Sequence, residues 1–151
     1  VLVAAGEEFP CHRIVLACSS EYFSRMFEGS FAEAQVRQRV QLPGKSRDTV
    51  SALLGIMYFS TTVEEVLRED PTHCLHLLEL SREWLLQDIL ERCIRFIKEE
   101  ITDAATLQLL ISSMPHGDDM REIRDLCQEK LRLIREAEAA KAWSAGRSLN
   151  A

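Results

Sequence analysis

The spacing of apolar residues changes period near residue 12, and that change divides the chain. Val1-Leu2-Val3-Ala4-Ala5 is a short apolar run followed by Gly6-Glu7-Glu8. The run predicts a strand, and the glycine predicts a tight turn because it tolerates positive φ. Residues 8–13 are then the returning strand of a hairpin. From there His12, Leu16, Ser20, Phe23 and Phe27 recur at steps of three or four, along one side of helical structure. Ser19 or Ser20 can cap a second helix through its hydroxyl. Two short helices therefore meet near residue 20, and Gly29 ends the second.

Val40 and Leu42 alternate with polar neighbours, which predicts a third strand broken by Pro43-Gly44. Ser46 can cap a helix whose apolar face is Val50, Leu53, Leu54 and Met57, at i, i+3, i+4 and i+7. Residues 60–72 are polar and contain Pro71, so they read as a loop with at most a short strand or turn around Val63–Leu67. Leu75 to Ile101 is helical, with Leu86, Leu90, Cys93, Ile97 and Ile101 in one stripe and a break expected near Leu86–Asp88. Asp103 can cap a helix carrying Leu107, Leu110, Ile111 and Met114, ended by Pro115-His116-Gly117. Asp119 with Glu122 makes a capping-box-like start for a last helix bearing Met120, Ile123, Cys127, Leu131 and Ile134. Beyond Glu136 the chain is Ala-rich and is expected to fray. A hairpin, one more strand and then mostly helices make an α+β fold.

Composition narrows the function classes. The chain has 151 residues and a net charge of −6, and an acidic chain repels phosphate, so nucleic acid is not expected as a partner. No apolar run approaches the roughly 20 residues a membrane helix needs, so no membrane partner is expected either. The chain opens at Val1, inside a strand, and is expected to be a fragment. Cysteines at 11, 18, 74, 93 and 127 are odd in number and widely spaced. They read as reduced, largely buried thiols of a cytoplasmic or nuclear protein.

Candidate chemistry is sparse. Cys11 beside His12 could pair a nucleophile with a base, but such catalysis also needs an orienting third group. A core histidine bonding backbone near the helix junction is the preferred reading. His73, Cys74 and His76 lie within four residues, yet a structural zinc site wants four ligands, usually in two separated pairs. Glu64-Glu65 and Glu69-Asp70 fall in the polar stretch and read as solvated surface. Catalytic carboxylate pairs need one acid in a desolvating pocket. No Gly-rich phosphate loop occurs. Trp84 reads as core, and Trp143 as an exposed residue of the tail. No enzyme, cofactor or metal is expected.

The stretch Phe9-Pro10-Cys11-His12-Arg13-Ile14-Val15-Leu16-Ala17-Cys18-Ser19-Ser20-Glu21-Tyr22-Phe23-Ser24-Arg25-Met26-Phe27 closely resembles the BTB/POZ signature. Phe9, His12, Leu16, Ser20, Phe23 and Phe27 hold its fixed positions. Val40-Gln41-Leu42, the helix ending in Tyr58, and the segments around Leu77–Ser81 and Leu86–Cys93 are similar to later family elements in the same order. The resemblance implies a BTB/POZ fold over residues 1–101, in which a small β-sheet packs with a helical cluster. Residues 102–136 resemble the opening helix pair of a BACK domain, as in kelch-like proteins, and residues 137–151 are left as a frayed or disordered tail.

The resemblance also implies a protein-protein interaction adaptor, often for a cullin-RING ubiquitin ligase. The alternatives are a transcriptional regulator recruiting co-repressors and a purely structural oligomerisation domain. The family's exchanged N-terminal segment is absent here, so a weak homodimer or monomer is expected. The helix-to-strand loop that faces a cullin corresponds to Phe27–Glu33, with Phe31 as an apolar anchor and Glu33 as a rim charge. The hydrophobic-x-Glu triplet of cullin binders falls on Cys74-Leu75-His76, where His76 stands in place of the acid.

Overall fold

In the computed structural model, which describes residues 1–28 and 39–149, the hairpin opens the chain. Strands β1 (Leu2–Ala4) and β2 (Glu7–Phe9) pair antiparallel, with Leu2 opposite Phe9. The two turn residues, Ala5 (φ 49°) and Gly6 (φ 81°), both lie in the left-handed region, as a two-residue type I′ hairpin requires. The returning strand is shorter than expected. It stops at Phe9 because Pro10 has no N–H to add to a ladder. Strand β3 (Val40–Gln41) joins β1 in parallel, giving the order β2-β1-β3.

Helices α1 (Arg13–Ser19) and α2 (Glu21–Glu28) follow the hairpin and meet at Ser20. Helix α3 (Arg47–Met57) starts at Ser46, whose side chain accepts from the Thr49 N–H. It buries Val50, Leu53, Ile56 and Met57.

The stretch read as a loop contains a helix, α4 (Val63–Glu69). Thr62 and Glu65 form a complete capping box, and Val63 and Leu67, four residues apart, are fully buried. Helices α5 (His73–Glu83) and α6 (Gln87–Glu99) come next. Their break falls at Trp84–Leu86, slightly before the expected place. Leu85 takes φ 54° there.

The described chain divides into two units between Cys93 and Ile94. In the second unit α7 (Ala104–Ser113) is capped by Asp103, whose carboxylate accepts from the Thr106 N–H at 2.7 Å. A 3₁₀ turn at Asp118–Met120 precedes α8 (Arg121–Leu149). The expected Asp119 cap does not form: the 3₁₀ turn begins after Gly117, with no side-chain cap. Leu107 and Leu110 of α7 and Ile123, Cys127 and Leu131 of α8 are buried. The tail read as frayed is instead helical to Leu149. Its alanines have the highest helix propensity of any residue.

Candidate functional site

The signature residues build the junction of the first unit, though not all of them as expected. Leu16, Ser20 and Phe23 are buried. The Ser20 hydroxyl donates to the Trp84 carbonyl at 2.5 Å and accepts from the Phe23 N–H at 3.3 Å. One side chain thus caps α2 and anchors the end of α5. Trp84 is fully buried and meets the Phe23 ring edge-on at 4.9 Å. Phe27 stacks on Phe23 at 5.9 Å but is only half-buried, with the Arg13 guanidinium 4.7 Å above its ring.

His12 is a correction: it is exposed rather than core. Helix α1 begins one residue later, and His12, its N-cap in an extended conformation, lies outside the helical stripe. Its Nδ1 lies 2.9 Å from the Tyr58 hydroxyl, and that same oxygen accepts the His12 backbone N–H at 2.6 Å. The partner is a side chain from the end of α3, not backbone. Cys11 is half-exposed and Cys18 exposed, so the thiols are not all buried; Cys74, Cys93 and Cys127 are.

At the start of α5, Asp70 organises the turn. Its Oδ1 accepts from the Thr72 N–H at 2.9 Å and from the Thr72 hydroxyl at 2.6 Å, while Oδ2 lies 3.3 Å from His73 Nδ1. These Thr72 bonds, then the nearby His73 and His76, hold the Asp70 carboxyl below its ordinary value. The triplet that follows is split by the helix. Cys74 and Leu75 point inward, at 0% and 5% exposure, so as surface contacts these two are corrected. The Cys74 thiol faces the Cys93 carbonyl at 4.0 Å. Hydrogen bonding to Cys93, burial and the neighbouring Cys93 charge push it far above the usual thiol range. Only His76 reaches solvent. His76 and Cys74 therefore lie on different sides of α5 and do not converge as metal ligands. Phe31 and Glu33 lie outside the described residues.

In the acidic stretch Glu65 and Glu69 are exposed as expected, whereas Glu64 is partly sheltered. Glu64 accepts two hydrogen bonds from Arg92, at 3.0 and 2.5 Å. That bidentate pairing lowers its pKa against the opposing effect of partial burial. Glu65 is lowered by the Thr62 backbone bond of the capping box and by the separate Thr61 hydroxyl bond.

A groove that the sequence reading missed lies beside this pair. It has a volume of about 340 Å³, and its walls include Cys18, Ile56, Met57, Phe59, Leu86 and Ile89. Phe59 stands at its rim, 94% exposed, with φ 57°. The signal that could have flagged it is Phe59, a large apolar residue standing between the helix-ending Tyr58 and the polar Ser60-Thr61-Thr62.

Comparison with known proteins agrees with this architecture. A family model for the BTB/POZ domain matches residues 1–101, and the chain belongs to that family. Its relatives include Kelch-like protein 11 of Homo sapiens, 33% identical over 103 residues, covering 65% of this chain and 14% of that protein. Kelch repeat and BTB domain-containing protein 12 of Homo sapiens is 48% identical over 58 residues, 38% of this chain and 9% of that protein. Kelch-like protein 21 of Bos taurus is 28% identical over 156 residues, 84% of this chain and 26% of that protein. The chain thus spans about a quarter or less of the length of these relatives. Among the described residues, no helix is long and apolar enough to cross a membrane.

Proposed function

We propose that this chain is a non-catalytic protein-interaction module, serving as a substrate adaptor or scaffold for a cullin-RING ubiquitin ligase in the cytoplasm or nucleus. The observation that carries the reading is the first turn of α5 on a BTB/POZ fold. Its inner residues Cys74 and Leu75 are fixed in the core, and His76 is left facing solvent. Kelch-like relatives support the adaptor class. Residues 102–136 are the helix pair of a BACK-like extension in this reading, and Phe31 and Glu33 complete the cullin-facing surface. The exposed α1 face, with Ile14 at 69% exposure, carries a weak homodimer of the kind the family forms.

The titratable groups fit a contact surface better than an active site. Glu64, Glu65 and Asp70 are held low by hydrogen bonds they already accept, the reverse of what a general acid at neutral pH requires. Cys74 is pushed up, the reverse of an activated thiolate.

Titration calorimetry with a cullin N-terminal domain tests the reading. His76 stands where binders carry a carboxylate, and an interface polar group left unpaired costs about 1–3 kcal/mol. The wild type should bind weakly, and His76→Glu should tighten binding roughly five- to 150-fold. Nanomolar wild-type binding unchanged by His76→Glu would show the wrong contact residue. No binding by either protein would favour co-repressor recruitment or a purely structural role.

A further inference from the structure

Asp70, just before α5, carries a carboxylate oxygen that the fold leaves open. Its Oδ1 accepts from the Thr72 N–H at 2.9 Å and from the Thr72 hydroxyl at 2.6 Å. Both bonds fall on one oxygen, so they orient the group without occupying the other. Oδ2 lies 3.3 Å from His73 Nδ1, yet that nitrogen is buried and has no hydrogen-bond partner. The approach is too poorly aligned to be a hydrogen bond. Among the described residues, Oδ2 therefore accepts none. The side chain is 48% exposed. The Thr72 bonds, then the nearby His73 and His76, keep it ionised by holding the carboxyl below its ordinary value.

Position gives this oxygen its use. His73 opens α5, and His76 stands three residues on. Residues so spaced are neighbours on a helix, about 5–6 Å apart between Cβ atoms. Asp70 and His76 therefore flank His73 at the first turn, while Cys74 and Leu75 point into the core. The proposed cullin contact has one gap on this turn, an imidazole at 76 where binders carry a carboxylate. A partner donor on a long side chain, a guanidinium or an ammonium, can turn by one such spacing from residue 76 to Asp70 Oδ2.

We infer that Asp70 stands in for the carboxylate missing at position 76 and receives a cationic group of the cullin there. The inference rests on the adaptor reading above and names the residue that carries part of the wild type's weak binding. The contact is exposed to solvent and lies to one side of residue 76. It is therefore weaker than the contact that His76→Glu restores, since an exposed ion pair changes an affinity only a few-fold.

Titration calorimetry with a cullin N-terminal domain separates the charge of Asp70 from its capping role. Asp70→Asn keeps an oxygen for Thr72 and loses the charge. It should weaken binding about two- to fivefold, and the difference should vanish near 1 M salt, where the screening length falls to about 3 Å. Asp70→Glu keeps the charge and disturbs the Thr72 bonds, and it should bind as the wild type does. In the His76→Glu background the donor is already matched, so Asp70→Asn should cost less there than in the wild type. Wild-type affinity in Asp70→Asn would overturn this inference and leave the adaptor reading standing. So would an Asp70→Glu protein as weak as Asp70→Asn, which would make the role one of capping. An equal loss in both backgrounds would do the same, as would a wild type that fails to bind where His76→Glu binds. Absence of binding by both the wild type and His76→Glu would instead remove the adaptor reading, and the role of Asp70 with it.

Discussion

The first unit and the far end of α8 are each held in place by different kinds of contact. In the first, side chains at turns reach far along the sequence. Ser20 bonds the end of α5, 64 residues away, and His12 bonds Tyr58, 46 residues away. Arg92 clasps Glu64 across 28 residues. In the second unit the inner half of α8 is also latched: Lys130 donates to the Ile97 carbonyl at 2.7 Å and Arg135 to Gln108 at 2.6 Å. Past Glu136, however, the polar contacts among the described residues are local to the helix, such as Arg147 over the Trp143 ring at 3.7 Å. A region tied by distant contacts unfolds as one piece, whereas a helix end tied to itself opens alone. The same mutation size should therefore read globally in one region and locally in the other.

The largest effect is expected at Leu16, which is 2% exposed at the junction of the hairpin and helices. Leu16→Ala should cost on the order of 2–5 kcal/mol, the lost transfer energy plus a cavity. It should lower the urea midpoint for probes throughout the first unit. A near-parental midpoint would mean the junction is not a shared core. Ser20→Ala comes next, at about 1–3 kcal/mol, because it removes an α2 cap and strands the buried Trp84 carbonyl. Ser20→Thr keeps the hydroxyl and should recover part of that loss.

A smaller, pH-dependent effect belongs to the Arg92–Glu64 clasp. Pairing depresses the Glu64 pKa below its ordinary 4.5. Its contribution is therefore present above the unfolded value and is lost as pH falls through the folded one. The pair is partly exposed, so it contributes on the order of 0.5–1 kcal/mol at neutral pH. Urea midpoints measured from about pH 6 down to about pH 3 should fall more steeply in the wild type than in Glu64→Gln. Equal slopes would show the clasp to be energetically silent.

The comparison also explains what could be read in the sequence. The helix pair at residues 13–28 was legible because its apolar spacing and its signature coincide. The capped starts at Ser46 and Asp103 were legible because a single hydroxyl or carboxylate does the capping. Helix α4 was hidden by Glu64, Glu65, Arg68 and Glu69, which swamp its three apolar residues, Val63, Val66 and Leu67. Its Thr62-x-x-Glu65 capping box was the available signal. His12 misled because it keeps step with a helical stripe while standing just outside the helix. The inward turn of Cys74 and Leu75 depends on how α5 is rotated in its packing, and the groove at Phe59 depends on three separate segments meeting. Neither is a property of local spacing.

The smallest effect tests the loose end of the comparison. Gly146 lies in the last turns of α8 with open space around it, so a methyl group there meets no obstacle. In a helix interior, alanine is favoured over glycine by about 1 kcal/mol. If residues beyond Glu136 open independently, that gain belongs only to the local opening. Gly146→Ala should then slow amide hydrogen exchange around Trp143–Leu149 by up to about fivefold, since 1.4 kcal/mol is a factor of ten. The urea midpoint of the rest of the chain should move by no more than about 0.5 kcal/mol in equivalent stability. A midpoint that rises by the full amount would mean that the tail of α8 unfolds with the rest of the chain. The contrast between distant and local contacts would then fail at the place where it is drawn most sharply.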